Sequence, residues 1–194
     1  MNWKNLMAVL NFKRKTPAGT GNDGTLASFL NGFSIEVMPR TAAKIEDFRK
    51  ILPQGTRVYV AHIEGTPIEE MVETAKRLNA EGFPVMPHFP ARIIKDAATL
   101  EEWINRYRNV GISQALLLAG GVDTPHGDFK DSMQLLDTGL FDKHGFTNLH
   151  VAGHPEGNKD IDPNGGDQAV MDALRWKNDF QNRTDAKMAL ATQF

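Results

Sequence analysis

Cysteine is absent from the 194 residues. That excludes disulfides, thiolate zinc sites, iron–sulfur clusters and a thiol nucleophile. An excess of charge of one sign is also lacking. The 22 Lys+Arg stand against 24 Asp+Glu, a formal charge of −2, so no electrostatically driven nucleic-acid or membrane surface is expected. No apolar run approaches the ~20 residues that span a bilayer. No charged-then-apolar leader with a small-residue cleavage site is read at the N-terminus, and a cytoplasmic protein is the expectation. What is present is ordinary globular composition, 41% hydrophobic and 24% charged. The length suits one domain with a sizeable core.

Residues 1–32 read as an N-terminal extension and 33–194 as the folded domain. Within the extension, Trp3, Leu6, Met7 and Leu10 have the spacing of a short amphipathic helix over residues 1–12. Lys13, Arg14 and Lys15 then form a solvated turn. Residues 19–24 formally match the dinucleotide fingerprint Gly-x-Gly-x-x-Gly, but a basic triplet and Pro17 precede it where a strand is required. A flexible linker is the better reading.

From Phe33 onward a pattern repeats. Short apolar runs at 33–37, 57–61, 84–87, 115–119, 148–152 and 188–192 read as strands. Between them lie segments of helical spacing. Over residues 67–80, Ile68, Met71, Val72, Ala75 and Leu78 make one stripe, with Thr66 and Glu69 at capping-box spacing, Pro67 at the first position and Gly82 to stop it. Over 100–109 the stripe is Leu100, Trp103, Ile104 and Tyr107, opened by Thr99 and ended at Gly111. Weaker helices fall at 42–51, 129–136 and 168–180. Strand–helix alternation predicts a parallel sheet with helices outside it. Two architectures fit, an open doubly wound sheet or a (β/α)8 barrel of which about six strand–helix units are present. Six strands with the sequence ending at the sixth leave both open, and leave two sheet edges expected to make these 194 residues fold poorly alone.

In either architecture ligands sit at the carboxyl ends of the strands. The polar residues there are Glu36 and Arg40, His62 and Glu64, His88 and Arg92, Gly120, Gly121 and Asp123, His154, Glu156 and Asn158, then Thr192 and Gln193. Such a rim suits a small-molecule site. Glu36, inside an apolar run, needs a partner, for which Arg40 and Arg92 are candidates. Gly120 and Gly121 let backbone N–H groups approach a ligand, or simply make a tight turn. His126, His144 and His150 read as loop or surface residues. His62, His88 and His154 with Glu36 or Glu156 compose a possible metal set, although no two histidines have the spacing of a ligand pair. A metal-dependent barrel hydrolase is therefore one alternative.

Four segments carry a family resemblance. Ser34-Ile35-Glu36-Val37-Met38-Pro39-Arg40-Thr41 resembles the first-strand signature of the methylenetetrahydrofolate reductases. Pro87-His88-Phe89, then Val151-Ala152-Gly153-His154-Pro155-Glu156-Gly157-Asn158, then Ala191-Thr192-Gln193-Phe194 resemble their third-, fifth- and sixth-strand segments in the same order. The resemblance spans roughly residues 33–194. It implies a (β/α)8 barrel that uses FAD to pass a hydride from NADH or NADPH to 5,10-methylenetetrahydrofolate, giving 5-methyltetrahydrofolate. It also favours truncation of a barrel over an open sheet, and a homo-oligomer when full length. Carried over, Glu36 is the general acid, with its pKa expected to be raised by burial. Gln193 contacts the pterin. His88, Ala61, Ala152, His154 and Asn158 line the FAD, and Lys177 reaches its phosphates. His62, Gly120 and Gly121 join the expected cofactor set, with Asp123 beside flavin and substrate. The sequence departs from the family at several points. Leu118-Ala119-Gly120-Gly121-Val122-Asp123 lacks the family's Arg and holds its Asp one residue later. Ala61-His62 replaces Thr-Tyr, His154 stands for Tyr, and Asn158 for His. Residues 178–186 look like an insertion. A non-catalytic flavin- or folate-binding relative is the other alternative.

Overall fold

The structure is a computed structural model that describes residues 32–154 and 157–192. The expected helix and loop of the extension, together with Pro155, Glu156, Gln193 and Phe194, lie outside the described residues.

Among the described residues six strands and six helices follow one another from Ser34 onward. The strands are β1 (Ser34–Val37), β2 (Arg57–Val60), β3 (Val85–Pro90), β4 (Gln114–Leu118), β5 (Asn148–Ala152) and β6 (Lys187–Ala191). The helices are α1 (Pro39–Ala42), α2 (Ile68–Ala80), α3 (Ala97–Asn109), α4 (Ser132–Asp137), α5 (Leu140–Lys143) and α6 (Gln168–Asn182). Single 3-10 turns at Phe48–Lys50 and Ala91–Ile93 complete the described elements. The strands form one sheet in the order β1-β2-β3-β4-β5-β6, and every pairing is parallel.

Alternation along each strand sorts the side chains onto two faces. Val58, Val60, Val85, Phe89, Ala115, Leu117, Leu149 and Val151 join the helices in one apolar core. Phe89 sits at its centre, with the rings of Tyr107, Phe141 and Phe146 within 5.2–6.3 Å of it. The alternate positions Glu36, Tyr59, His88, Leu116 and His150 face the other way. That face is concave. Strands β2 and β5 are three steps apart, roughly 14 Å in a flat sheet, yet the Tyr59 hydroxyl lies 2.7 Å from His150 Nδ1. The sheet is therefore curled like part of a barrel wall, as parallel strands with an outer helix layer require for closure.

Local signals set the element ends, with some corrections. Helix α2 starts at Ile68 with Pro67 as its N-cap and no side-chain cap, so the Thr66 capping box does not form. Helix α3 begins earlier than expected because Asp96, not Thr99, caps it. The Asp96 carboxylate accepts from both Thr99 N and Thr99 Oγ1 at 2.8 Å. The expected helix over 42–51 is replaced by α1 and a 3-10 turn. Residues 178–182, expected as the start of an insertion, are the last turn of α6. Among the described residues no helix is long and apolar enough to cross a membrane.

Candidate functional site

Two cavities adjoin at the carboxyl ends of the strands. The first, about 460 Å³, occupies the concave face, and its walls include Glu36 of β1, Tyr59 of β2, His88 of β3, and Ala152, Gly153 and His154 at the end of β5. Ser34 and Thr192 bring the two outermost strands to the same space. The second, about 810 Å³, lies over the ends of β1–β4, with Ala61, His62, Gly120 and Gly121 in its wall beside apolar Met38, Ile45 and Ile93. Glu36, His88 and Leu118 line both, so the two are compartments of one cleft. Each lies within the usual size of a small-molecule site, ~300–1,000 Å³.

The pair at the junction is Glu36 and His88. Glu36 Oε2 stands 3.2 Å from His88 Nε2. That is ion-pair distance, but the imidazole nitrogen makes no well-aligned hydrogen bond. His88 is buried, whereas the Glu36 side chain keeps 41% exposure. The His88 imidazole holds the Glu36 carboxyl below its ordinary value, outweighing the upward push of partial burial. This corrects the expectation of a raised pKa. The strand end is not apolar enough around Glu36, and its partner is His88 rather than Arg40 or Arg92. Arg92 instead donates to the carbonyls of Val122 and Lys130, both at 3.1 Å, and pins the loop after β4.

His62 is buried in the second cavity's wall. Its ring stacks on Trp103 with centroids 4.7 Å apart. Nε2 donates to Thr66 O at 2.9 Å, while Nδ1 is buried with no partner. Burial pushes the imidazole's pKa down, so the ring is neutral and Nδ1 carries a lone pair. A buried acceptor left unpaired is costly unless a ligand or water completes it.

His154 belongs to the first cavity. Asn158 stands 3.3 Å from it through Nδ2, while Asn158 Oδ1 accepts from the backbone N–H of Asp160 and Ile161. The amide orientation is thereby fixed. Asn158 donates to His154 Nδ1, which leaves the ring proton on Nε2. Gly120 has φ +97°, and a Cβ there would press on Pro90 at 3.0 Å, so both its backbone and its close contact require glycine.

The structure therefore brings Glu36, His88, Ala152 and His154 to one cavity and Ala61, His62, Gly120 and Gly121 to its neighbour. It does not bring Asp123 or Lys177 to either. Asp123 is exposed in the loop after β4. Lys177 Nζ donates to Ala152 O at 3.0 Å from the helix side of the sheet and borders a separate, smaller cavity. The imidazoles of His62, His88 and His154 do not form one ligand set. Among the described residues no group of three or more His, Asp and Glu side chains is placed to hold a metal ion.

Two residues of the concave face escaped the sequence reading. His150, expected on a loop or the surface, lies in β5 and is 6% exposed. Tyr59 stands beside Glu36 in register. The signal for both was period two: 34, 36 and 57, 59 and 148, 150, 152 share a face. A scan of the sequence against models of known protein families finds no match.

Proposed function

We propose that the chain is the catalytic part of a flavin-dependent reductase of the methylenetetrahydrofolate reductase type, built on a (β/α)8 barrel plan. The observation that carries this reading is the convergence of Glu36, His88 and His154, from alternate strands β1, β3 and β5, on one cavity. All three belong to the segments that resemble that family. FAD, when bound, would take a hydride from NADH or NADPH and hand it to 5,10-methylenetetrahydrofolate.

The residues present suit a flavin. The cleft is roomy and largely apolar, Gly120 and Gly121 leave backbone N–H groups open to a ligand, and the orphaned Nδ1 of His62 is an acceptor awaiting a donor. His154 offers an Nε2–H donor fixed by Asn158. Glu36 and His88 stand together where the two compartments meet, and Glu36 would deliver the proton to the substrate's nitrogen there. Because His88 keeps the free carboxyl low, Glu36 becomes an effective acid only when ligand covers its exposed part. Desolvation then raises its pKa in the direction that partial burial already works.

The test is Glu36→Gln in flavin-loaded protein. NADH should still bleach the flavin, while folate reduction falls by at least about 100-fold, the usual contribution of a general acid. Folate turnover that survives the substitution refutes the assignment, and purified protein that takes up no flavin refutes the reading as a whole. A second reading, a non-catalytic flavin or folate binder, is favoured by the low Glu36 carboxyl and by Asp123 lying outside the cleft. Flavin uptake without any wild-type turnover would establish it.

A further inference from the structure

Tyr59 and His150 meet across the concave face, and no element of the expected site uses them. Tyr59 Oη and His150 Nδ1 are 2.7 Å apart. His150 is buried. Burial, helped by the nearby Arg57 guanidinium, pushes its pKa down to about 4. Burial pushes the Tyr59 hydroxyl up. At neutral pH the phenol therefore keeps its proton and the neutral imidazole carries a single one. With that proton on Nε2, the hydroxyl donates to Nδ1 and its only hydrogen is committed to His150. What Tyr59 can then offer the cavity is an oxygen lone pair, for which the neighbouring Arg57 and Ser34 side chains compete. Beside it in register, the Glu36 carboxylate is also an acceptor.

We infer that Tyr59, oriented by His150, is a ligand-contacting residue that accepts a hydrogen bond from an N–H edge of a planar ligand in the concave cavity. The inference rests on the flavin reading, and there the donor is fixed by chemistry. Oxidised isoalloxazine has one ring N–H, at N3. Tyr59 would thus select which edge of the ring enters toward β2. His150 is a positioning residue, because it decides whether the hydroxyl accepts or donates toward the ligand.

Two measurements test this. Nitrogen-15 spectra of the unliganded protein at pH 7 should show His150 neutral, with its proton on Nε2. An imidazolium, or a proton on Nδ1, overturns the inference whether or not flavin binds. The second measurement titrates riboflavin and 3-methylriboflavin into wild type and Tyr59→Phe. The substitution should weaken riboflavin about tenfold, the loss expected when a buried donor goes unpaired, and leave 3-methylriboflavin unchanged. Equal effects on both ligands, or none on either, overturn the Tyr59 assignment while the flavin reading stands. Wild type that binds neither ligand overturns the flavin reading and this assignment with it. If Tyr59→Phe does not fold, the tautomer of His150 in wild type still decides the hydroxyl's direction.

Discussion

The protein's two tyrosines are opposites. Tyr59 pairs its hydroxyl with His150 Nδ1, whereas Tyr107, on α3, is fully buried with its hydroxyl unpartnered among Phe89 and other core groups. Burial raises the Tyr107 pKa strongly, so the group stays a neutral phenol. A neutral donor without a partner in the core costs roughly 1–3 kcal/mol relative to its solvated state. Tyr107→Phe removes that cost and keeps the ring contacts. It should raise stability by about 1 kcal/mol, and urea denaturation would measure it as a higher midpoint at unchanged slope. A lower midpoint would mean that the hydroxyl has a partner, such as a bound water. Both residues bear on how far single positions could be read. Tyr107 lay on a 3.6-residue stripe with Leu100 and Ile104, and burial was legible from that period. Tyr59 lay in Arg57-Val58-Tyr59-Val60, where the residues on either side are apolar because they pack on the helices. Which face such a parallel strand gives to a ligand depends on the curl of the whole sheet. Period two likewise put His150 on one face with Asn148 and Ala152, and only the curl decides that this face is the concave one. Glu36 was legible because a carboxylate in an apolar run needs an explanation, but its pKa was not. Its partner comes from a strand 52 positions away.

Between residues and fold, the loop after β4 is the element that most directly shapes the second cavity. Gly120 and Gly121 open it, and Arg92 ties Val122 and Lys130 from above the end of β3. His126 N donates to Arg92 O at 2.7 Å and Asp128 N to Lys95 O at 2.9 Å. Gly127, between them, passes so close that a Cβ would stand 1.8 Å from Lys95 O. That contact is with backbone, so no rotamer change relieves it. Gly127→Ala should detach the loop from residues 92–95. Amide exchange at His126 and Asp128 should rise together, and on the proposed flavin reading flavin affinity should fall, since Gly120 and Gly121 belong to the same loop. Unchanged protection at both amides would show the loop held elsewhere. The sequence pattern placed all six strands, yet it missed this clamp, because its bonds join residues 92–95 to 122–130, a separation that no local spacing encodes. The helix starts show a related limit. Asp96 and Thr99 are both good N-caps, and only the path of the chain after the 3-10 turn at Ala91–Ile93 selects Asp96. Strand β3 ran on past Pro87 to Pro90, because parallel neighbours pair Pro87 with Val60 and Pro90 with Leu118 without needing every N–H.

At the scale of the molecule, the curl and the strand order explain why the site exists at all. A parallel sheet in strictly sequential order brings every carboxyl end to one rim. The curl of the sheet lets β1 and β6, the two outermost strands, line a single cavity, the first with Ser34 and Glu36 and the second with Ala191. The same geometry sets a liability. Among the described residues β1 pairs only with β2 and β6 only with β5, so each presents one unpaired edge. Strand β6 is largely exposed, and Leu190 on its outer face keeps 54% exposure. Exposed parallel edges beside an open apolar face favour strand addition between copies. The 194-residue protein should therefore self-associate as its concentration rises, which sedimentation velocity would detect. Leu190→Lys should lower that tendency by placing charge on the exposed face next to the edge, without touching the concave cavity. On the proposed flavin reading, added FAD should oppose association and should raise the unfolding temperature, as a ligand of the folded state alone must. A cooperative unfolding transition independent of protein concentration, with no association in either variant, would show that these edges are already covered. The wall would then be covered at its two ends, while the pairing of Glu36 on β1 with His88 on β3 would be unaffected.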